Sequence, residues 1–285
     1  MSRLLFLNPF GSSLYDDLIR RSMNLAVRPD TDIDIRHLTG PVTAPDFWAQ
    51  KHLLEVETMS AAIQAEDEGY DGLIIGCCYD PGVAQCREIV DIPVIGPLEA
   101  SLGFARAFGR NFAVVTDHRK AATEIEDQVR KFGFEPNCKG VTTIDWYIDE
   151  MVDDITAVAR KTDKVIEKAM ADTSAETVIL GCTIVSACYE IALRETPLDL
   201  PLRSVMNPNL MAVKMAEMLV DLAEVGQYRI ARTGYYAKQE SRDPEGSAQV
   251  RAILRASRPL SALDVLPHNV PTSINAHSIA SGKWK

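Results

Sequence analysis

DGLIIGCC at residues 71–78 and ETVILGCT at residues 176–183 are two versions of one pattern. In each, a run of β-favouring apolar residues ends in Gly-Cys, and residues compatible with a helix follow. Cys77 and Cys182 are therefore predicted to lie at the carboxyl ends of strands, the edge at which open α/β sheets bind ligands. Because a helix N-terminus favours the thiolate, both cysteines are also predicted to have a lowered pKa.

The similarity of the two halves extends beyond the cysteines. An apolar run that ends in a polar residue precedes each of them: Asn8 stands 69 residues before Cys77, and Thr116 stands 66 residues before Cys182. A proline follows 16 residues after Cys77 and 19 residues after Cys182. Such a duplication predicts a pseudo-twofold site between the two halves.

Strands and helices are predicted to alternate along the chain, which favours parallel sheets covered by helices on both faces. The apolar runs predict strands near residues 4–7, 32–36, 71–76, 93–95, 112–116, 140–143, 177–181 and 202–205. Helices are predicted near residues 13–27, 53–68, 82–90, 98–108, 118–132, 149–171, 184–194 and 208–224. The predicted fold class is α/β, with two pseudo-symmetric lobes, each a parallel sheet flanked by helices, and the active site at the seam.

The domain organisation follows from the duplication and from a change of composition near the end. Residues 1–97 with 207–226 are predicted to form the first lobe, and residues 98–206 the second. Beyond Gly226 the chain is richer in polar residues, Ser and Pro, with one short amphipathic stretch around residues 250–254. Residues 227–285 are predicted to be an extension outside both lobes: an arm on a neighbouring subunit, a lid, or a partly disordered segment.

Composition and charge argue against several classes of partner. The chain has 285 residues, 46% of them hydrophobic, which is enough to bury a full core. No apolar run has the roughly eighteen residues of a membrane span, and we expect the first residues to form a core strand rather than a signal peptide. A net charge of −10 without any Lys/Arg block argues against nucleic acid and membrane partners. We expect a cytoplasmic protein that forms a homo-oligomer.

The cysteines do not have the spacing of a metal site. None of the six forms a C-x-x-C pair, and the five histidines show no H-x-x-x-H or H-E-x-x-H spacing. No metal site and no cofactor are therefore predicted. Six cysteines in a chain of this length, without the density of a disulfide scaffold, fit a reducing compartment in which thiols stay free.

Two thiols on opposite faces of one carbon atom could remove a proton from one side and return a proton from the other. The result is inversion at a carbon acid whose carbanion is stabilised by a carbonyl or carboxylate group. Backbone N–H groups in the turns after each cysteine could bind that group. With Cys77 and Cys182 as the catalytic pair, the candidate substrate-binding residues lie at the matching strand ends and turns: Asn8, Ser12, Cys78, Tyr79, Asp80, Thr116 and Thr183. Asp80 precedes a proline, which also predicts an N-cap of the helix that follows.

Several short motifs extend this interpretation. Asn8-Pro9 follows the first strand, residues 76–82 read Gly-Cys-x-x-Asp-Pro-Gly, and residues 93–100 read Pro-Val-x-Gly-x-x-Glu-Ala. With the Leu-Gly-Cys at residues 180–182, they resemble the aspartate/glutamate/hydantoin racemase superfamily, and within it the hydantoin and allantoin racemase branch. The resemblance covers roughly residues 3–225. It implies two pseudo-symmetric α/β lobes with the ligand between them, and Cys77 and Cys182 as the two acid/base residues.

Three functions are compatible with the sequence. The first is a cofactor-independent racemase or epimerase that acts on a hydantoin-like or amino-acid-derived carbon acid, a small molecule with a carbonyl or carboxylate group. The second keeps the scaffold but uses a cysteine in a lyase, decarboxylase, cis–trans isomerase or desulfurising reaction. The third is a non-catalytic small-molecule binding protein with inert thiols. Reactivity of the cysteines separates the third function from the other two.

Overall fold

Eight strands and nine α-helices form the part of the chain that the computed structural model describes, residues 2–43 and 45–262. The strands are β1 (Ser2–Asn8), β2 (Thr31–His37), β3 (Gly72–Ile75), β4 (Val94–Ile95), β5 (Phe112–Thr116), β6 (Cys138–Thr143), β7 (Thr177–Leu180) and β8 (Val205–Met206). The helices are α1 (Asp16–Met23), α2 (Trp48–Asp67), α3 (Val83–Ile89), α4 (Pro97–Phe108), α5 (Arg119–Lys131), α6 (Ile155–Asp172), α7 (Thr183–Glu195), α8 (Pro208–Val225) and α9 (Pro244–Ser257).

The strands form two parallel sheets with the same internal order. The first sheet runs β2-β1-β3-β4 and the second runs β6-β5-β7-β8, so β1 corresponds to β5 and β3 to β7. The register also corresponds, since Leu7 pairs with Ile75 in the first sheet and Val115 pairs with Leu180 in the second. Each sheet with its helices is called a lobe below. The predicted α/β class with two similar parallel-sheet lobes is confirmed.

The central strands of both sheets are buried on both faces. Residues 4–7 of β1 and residues 112–116 of β5 have almost no exposed surface, because helices cover each sheet on two sides. Their continuous apolar runs explain why these strands are readable in the sequence. Among the described residues, no helix combines the length and the apolar character that crossing a bilayer requires.

Several element boundaries differ from the prediction, and two of them, the starts of α6 and β8, have a visible cause or consequence. Residues 149–171 were expected to form one helix, but a 3₁₀ segment covers Ile148–Asp153 and α6 begins at Ile155. The Asp154 carboxylate accepts a hydrogen bond from the Ala157 N–H at 2.8 Å, and this N-cap separates the two segments. The last strand was expected at residues 202–205, but Leu202 is fully exposed and β8 spans Val205–Met206.

The extension after Gly226 folds back onto the first lobe of its own chain as far as residue 262. Helix α9 packs along α2, with Leu254 buried between them and the Ser60 hydroxyl hydrogen-bonded to the Leu254 carbonyl. Leu260 then forms an antiparallel bridge with Leu38, beside β2. This part of the chain was expected to lie outside both lobes, whereas it is an ordered layer of the first lobe. Residues 263–285, the rest of that predicted extension, lie outside the described residues.

We expect Leu254→Ala to lower the free energy of unfolding by about 2–4 kcal/mol, because it removes buried methyl groups and leaves a cavity between α9 and α2. Ile253 is the matched control on the same helix, since its side chain is 72% exposed. Ile253→Ala should change the stability by less than about 0.5 kcal/mol. Urea unfolding followed by circular dichroism measures both values, and equal effects of the two variants would show that α9 does not pack as described.

Candidate active site

Glycine precedes each cysteine because the ends of β3 and β7 lie too close to the neighbouring strands, β1 and β5, to leave room for a side chain. The Gly76 N–H donates to the Leu7 carbonyl at 2.7 Å, and the Gly181 N–H donates to the Val115 carbonyl at 2.7 Å. A Cβ on Gly76 would come within 2.1 Å of the Phe6 ring, and one on Gly181 would come within 2.6 Å of the Val114 side chain. The Gly-Cys pattern thus has a packing cause that is the same in both lobes.

Cys77 and Cys182 line one cavity between the carboxyl-terminal edges of the two sheets. The free space is about 20 Å³, which is enough for about one water molecule. In this conformation the cavity is too small for a substrate molecule, so binding requires the side chains around it to move. The cavity is lined by Phe10, Pro45, Asp46, Cys77, Cys78, Tyr79, Asp117, Ile148, Gly181, Cys182, Thr183 and Ile184.

Both thiols of the pair are buried, and this changes their acidity. Burial raises the pKa of Cys77 to about 12 and raises the pKa of Cys182 well above its ordinary value. Backbone N–H groups oppose this effect: that of Tyr79 at Cys77, and those of Ile184 and Val185 at Cys182. Cys182 is the N-cap of α7, as the sequence predicted. The predicted lowering of both pKa values is nevertheless wrong for these buried thiols, because loss of solvent outweighs the favourable effect of the helix N-terminus on the thiolate.

Three of the predicted substrate-binding residues do line the cavity: Cys78, Tyr79 and Thr183. Two of them also join the lobes. The Thr183 hydroxyl donates to the Gly76 carbonyl at 3.0 Å, and the Cys78 thiol lies 3.9 Å from the Leu180 carbonyl. These contacts cross from each strand end to the other, so the same side chains that line the site also hold its two halves together.

Three other predicted residues are committed to the scaffold. Asn8 is fully buried and its Nδ2 donates to the Asp16 carboxylate, while its Oδ1 has no partner among the described residues. Thr116 is fully buried, and its hydroxyl lies 2.9 Å from the Gly181 carbonyl, where it supports the turn before Cys182. The Ser12 hydroxyl accepts from the Leu14 N–H at 3.2 Å. None of the three lines the described cavity.

Asp80 caps a different helix from the one that the sequence suggested. Its carboxylate accepts from the backbone N–H groups of Leu98 at 3.2 Å and Glu99 at 2.9 Å, so it caps α4 rather than the adjacent α3. A Cβ on Gly96 would lie 2.4 Å from the Asp80 carboxyl carbon, so only glycine leaves room for this contact. Burial raises the pKa of Asp80 to about 7.

The sequence prediction missed two carboxylates of the cavity wall, Asp46 and Asp117. Asp46 comes from the loop before α2, and its Oδ1 lies 3.2 Å from His118 Nε2 in the other lobe. His118 Nδ1 accepts from the Ala121 N–H at 3.3 Å as the N-cap of α5, so the Nε2 atom carries the proton and donates. Asp117 directly follows β5, and burial raises its pKa. Asp117 could have been identified from the sequence, because it is a polar residue directly after a predicted strand. No sequence pattern in the loop before α2 identifies Asp46.

The charges around the cavity are carboxylates. Of the described residues that line it, none is Lys or Arg. Within residues 2–43 and 45–262, no group of three His, Cys, Asp or Glu side chains is arranged to hold a metal ion. The site therefore offers thiols, carboxylate oxygens and backbone N–H groups to a ligand.

The comparisons with known proteins agree with this architecture. The family model described as Asp/Glu/hydantoin racemase matches residues 4–216. The hydantoin racemase of Rhizobium meliloti is 34% identical over 168 residues, which cover 59% of this chain and 68% of that protein. A hydantoin racemase of a Pseudomonas species is 26% identical over 219 residues, which cover 76% of this chain and 86% of that protein. The structure of the allantoin racemase of Klebsiella pneumoniae matches with a TM-score of 0.75 at 23% identity, covering 84% and 94% of the two chains.

The chain belongs to the Asp/Glu/hydantoin racemase family. The resemblance seen in the sequence motifs is thereby confirmed, and so is the expected enzyme class, a racemase and hence an isomerase. The solved allantoin racemase structure shows the fold that the two lobes share with it.

The burial of the Asp80 carboxyl group predicts a pH-dependent stability. Its pKa is about 7 in the native protein and about 3.8 in the unfolded chain, so the native state keeps this proton longer. The contribution of Asp80 to the free energy of unfolding therefore falls as the pH rises from about 3.8 to about 7. Between pH 5 and pH 8, the stability of the wild type relative to Asp80→Asn should fall by about 2–3 kcal/mol, as measured by urea unfolding.

Asp67 provides the control for this measurement. Its carboxylate accepts two hydrogen bonds from Arg255, and this pairing lowers its pKa. Asp67→Asn should therefore give a stability difference that is the same at pH 5 and pH 8. If Asp80→Asn behaves in the same way, its carboxyl group is ionised over the whole range, and the assignment of a raised pKa is wrong.

Proposed function

We propose that this protein is a cofactor-independent racemase that inverts a hydantoin-like carbon acid by proton transfer between Cys77 and Cys182. The observation that carries the proposal is that two thiols from equivalent strand ends, after β3 and β7, line one cavity. Reaction at opposite faces of a carbon atom needs two proton carriers on opposite sides of it. A pseudo-twofold arrangement of cysteines supplies such a pair without a metal ion or an organic cofactor.

The reaction needs only proton transfers. One cysteine as thiolate takes the proton from the carbon atom and becomes a thiol, and the electron pair moves toward the adjacent carbonyl group. The other cysteine then gives its thiol proton to the opposite face and is left as thiolate. Backbone N–H groups after each cysteine stabilise the negative charge that forms. The reverse reaction starts from the second cysteine, so both enantiomers are substrates.

The raised pKa values fit this chemistry in one respect and limit it in another. A thiolate whose pKa is raised by burial is a stronger base toward a weak carbon acid. The same shift makes the thiolate rare at neutral pH. A substrate with an activated C–H bond, such as the one at C5 of a hydantoin ring, therefore suits the site better than a free amino acid.

The charge of the cavity also favours a neutral ring. Asp46 and Asp117 line it, and no Lys or Arg among the described residues faces a substrate carboxylate there. A hydantoin ring carries N–H donors that match carboxylate acceptors, whereas aspartate or glutamate would bring further negative charge close to these two residues. The hydantoin racemases among the relatives support the same substrate class.

We expect Cys77→Ser and Cys182→Ser each to lower racemisation by at least about 10³-fold, because each removes one of the two proton carriers. The fold should be retained, as judged by circular dichroism. Cys138→Ser is the control, since Cys138 begins β6 and does not line the cavity. Polarimetry with a single enantiomer measures the rates, and near-normal racemisation by either active-site variant would exclude the two-cysteine mechanism.

The substrate class is tested by proton NMR in D₂O with protein that has first been dialysed against EDTA. A 5-substituted hydantoin should exchange its C5 proton for deuterium, whereas aspartate and glutamate should not, because the described residues of the cavity wall include two carboxylates and no Lys or Arg. Exchange after dialysis also supports a reaction without a metal ion. Exchange of the amino acids alone would contradict the substrate assignment. Loss of carbon dioxide or of sulfur from a substrate analogue would instead indicate the lyase or desulfurising alternatives.

A further inference from the structure

Lys51 is a buried cation beside the turn that carries Cys77. It lies in the first turn of α2 and is 5% exposed. Its ammonium group forms an ion pair with Glu124 of α5, in the other lobe. The Nζ atom lies 3.8 Å from the centroid of the Tyr79 ring and 4.7 Å from that of Trp48. Two aromatic faces and one carboxylate therefore hold this charge in place.

Tyr79 connects this charge to the reactive pair. It follows Cys77 by two residues, and its backbone N–H donates to the Cys77 sulfur. Gln128 Nε2 donates to the Tyr79 carbonyl at 2.9 Å, so the turn is held from the second lobe as well. The Lys51 ammonium lies against the ring of this turn. Its charge favours the thiolate of Cys77.

The charges that face Cys77 do not all act in one direction. Lys51, on α2, favours its thiolate, whereas Asp80 and Asp117 disfavour it. Lys51 in turn is influenced by Lys120 of α5, which disfavours its charged form, and by the Cys77, Asp117 and Asp46 charges, which favour it. Burial is the largest influence on Lys51 and lowers its pKa to about 8.

Among the described residues, the strongest charges that act on Cys182 do not include a cation. The charge with the largest effect on Cys182 is Asp117, and this carboxylate raises the pKa of Cys182, as burial does. The two thiols thus occupy equivalent positions in the fold and both feel the Asp117 carboxylate, but Cys77 is also close to a cation. The pseudo-twofold symmetry of the backbone is broken at the level of the side chains.

We propose that Lys51 is a positioning residue that makes Cys77, rather than Cys182, the more readily ionised thiol of the resting enzyme. It acts through Cys77 and does not line the cavity that holds the substrate. This inference rests on the proposed two-cysteine reaction, since it assigns the first proton acceptor within that pair.

The test measures the alkylation of each cysteine by iodoacetamide, followed by peptide mass spectrometry, in the intact protein without substrate. At pH 7, Lys51→Met should slow alkylation of Cys77 about tenfold, which corresponds to one pKa unit less thiolate, and leave Cys182 within about twofold. Lys51→Arg retains the cation and should restore most of the Cys77 rate. Lys131→Met is the control, because it removes an exposed cation from α5 without a contact to Cys77.

The pH dependence gives a second and independent measurement. In the wild type, alkylation of Cys77 should rise about tenfold per pH unit up to pH 8 and less steeply above it, because Lys51 loses its proton there. Lys51→Arg stays charged, so its rate should keep rising tenfold per unit to pH 9. This comparison uses only the wild type and Lys51→Arg, which both have a basic side chain at position 51. It therefore tests the role of Lys51 even if Lys51→Met does not fold.

The results separate this inference from the proposed function. An unchanged Cys77 rate in Lys51→Met, equal slowing of Cys77 and Cys182, or the same pH slope in wild type and Lys51→Arg would each overturn the role of Lys51. None of these results depends on turnover. If Cys77→Ser and Cys182→Ser still racemise substrate, the two-cysteine reaction fails whatever the alkylation rates are.

Discussion

The close approach of the backbone at Gly76 and Gly181 is the constraint on which the site depends. Each glycine lets the end of a strand lie against a large side chain of the neighbouring strand, Phe6 or Val114. The residue after each glycine then comes to the sheet edge with its thiol toward the other lobe. The crossed contacts of Thr183 with Gly76 and of Cys78 with Leu180 hold the two strand ends in register. A side chain at either glycine would move the cysteine that follows it.

Exclusion of water then decides the chemistry of the two thiols. In a solvated turn, the N-terminus of α7 would lower the pKa of Cys182, but in a cavity of about 20 Å³ the loss of solvation dominates. The protein compensates with backbone N–H groups at both sulfurs and with one buried ammonium near Cys77. In the proposed reaction, the site therefore combines strong bases with a low population of their thiolate form, which suits an activated carbon acid.

The sequence predicted the scaffold better than the site. The central strands β1, β3, β5 and β7 were readable because buried parallel strands are continuous apolar runs, and the repeated Gly-Cys showed which strand ends meet. Predictions from neighbouring residues in the sequence failed where a side chain contacts an element that is distant in the sequence. Asp80 looks like a cap for the next helix in the sequence, but its carboxylate reaches α4. Asn8 and Thr116 stand at the right strand ends, yet their polar atoms are used by Asp16 and Gly181. Asp46 and Lys51 reach the cysteines only through tertiary packing, which no spacing rule records.

The C-terminal layer contributes no atom to the described cavity, but it covers the helix that carries Lys51. Helix α9 lies along α2 and is anchored by Ser60 and by the Arg255–Asp67 pair. The loop with Asp46 leads directly into the same helix. If Lys51 has the proposed role, substitutions in α9 change the reactivity of Cys77 although α9 is far along the chain from either cysteine. Sequence variation in this layer among related enzymes would then follow differences in reaction rate as well as differences in thermal stability.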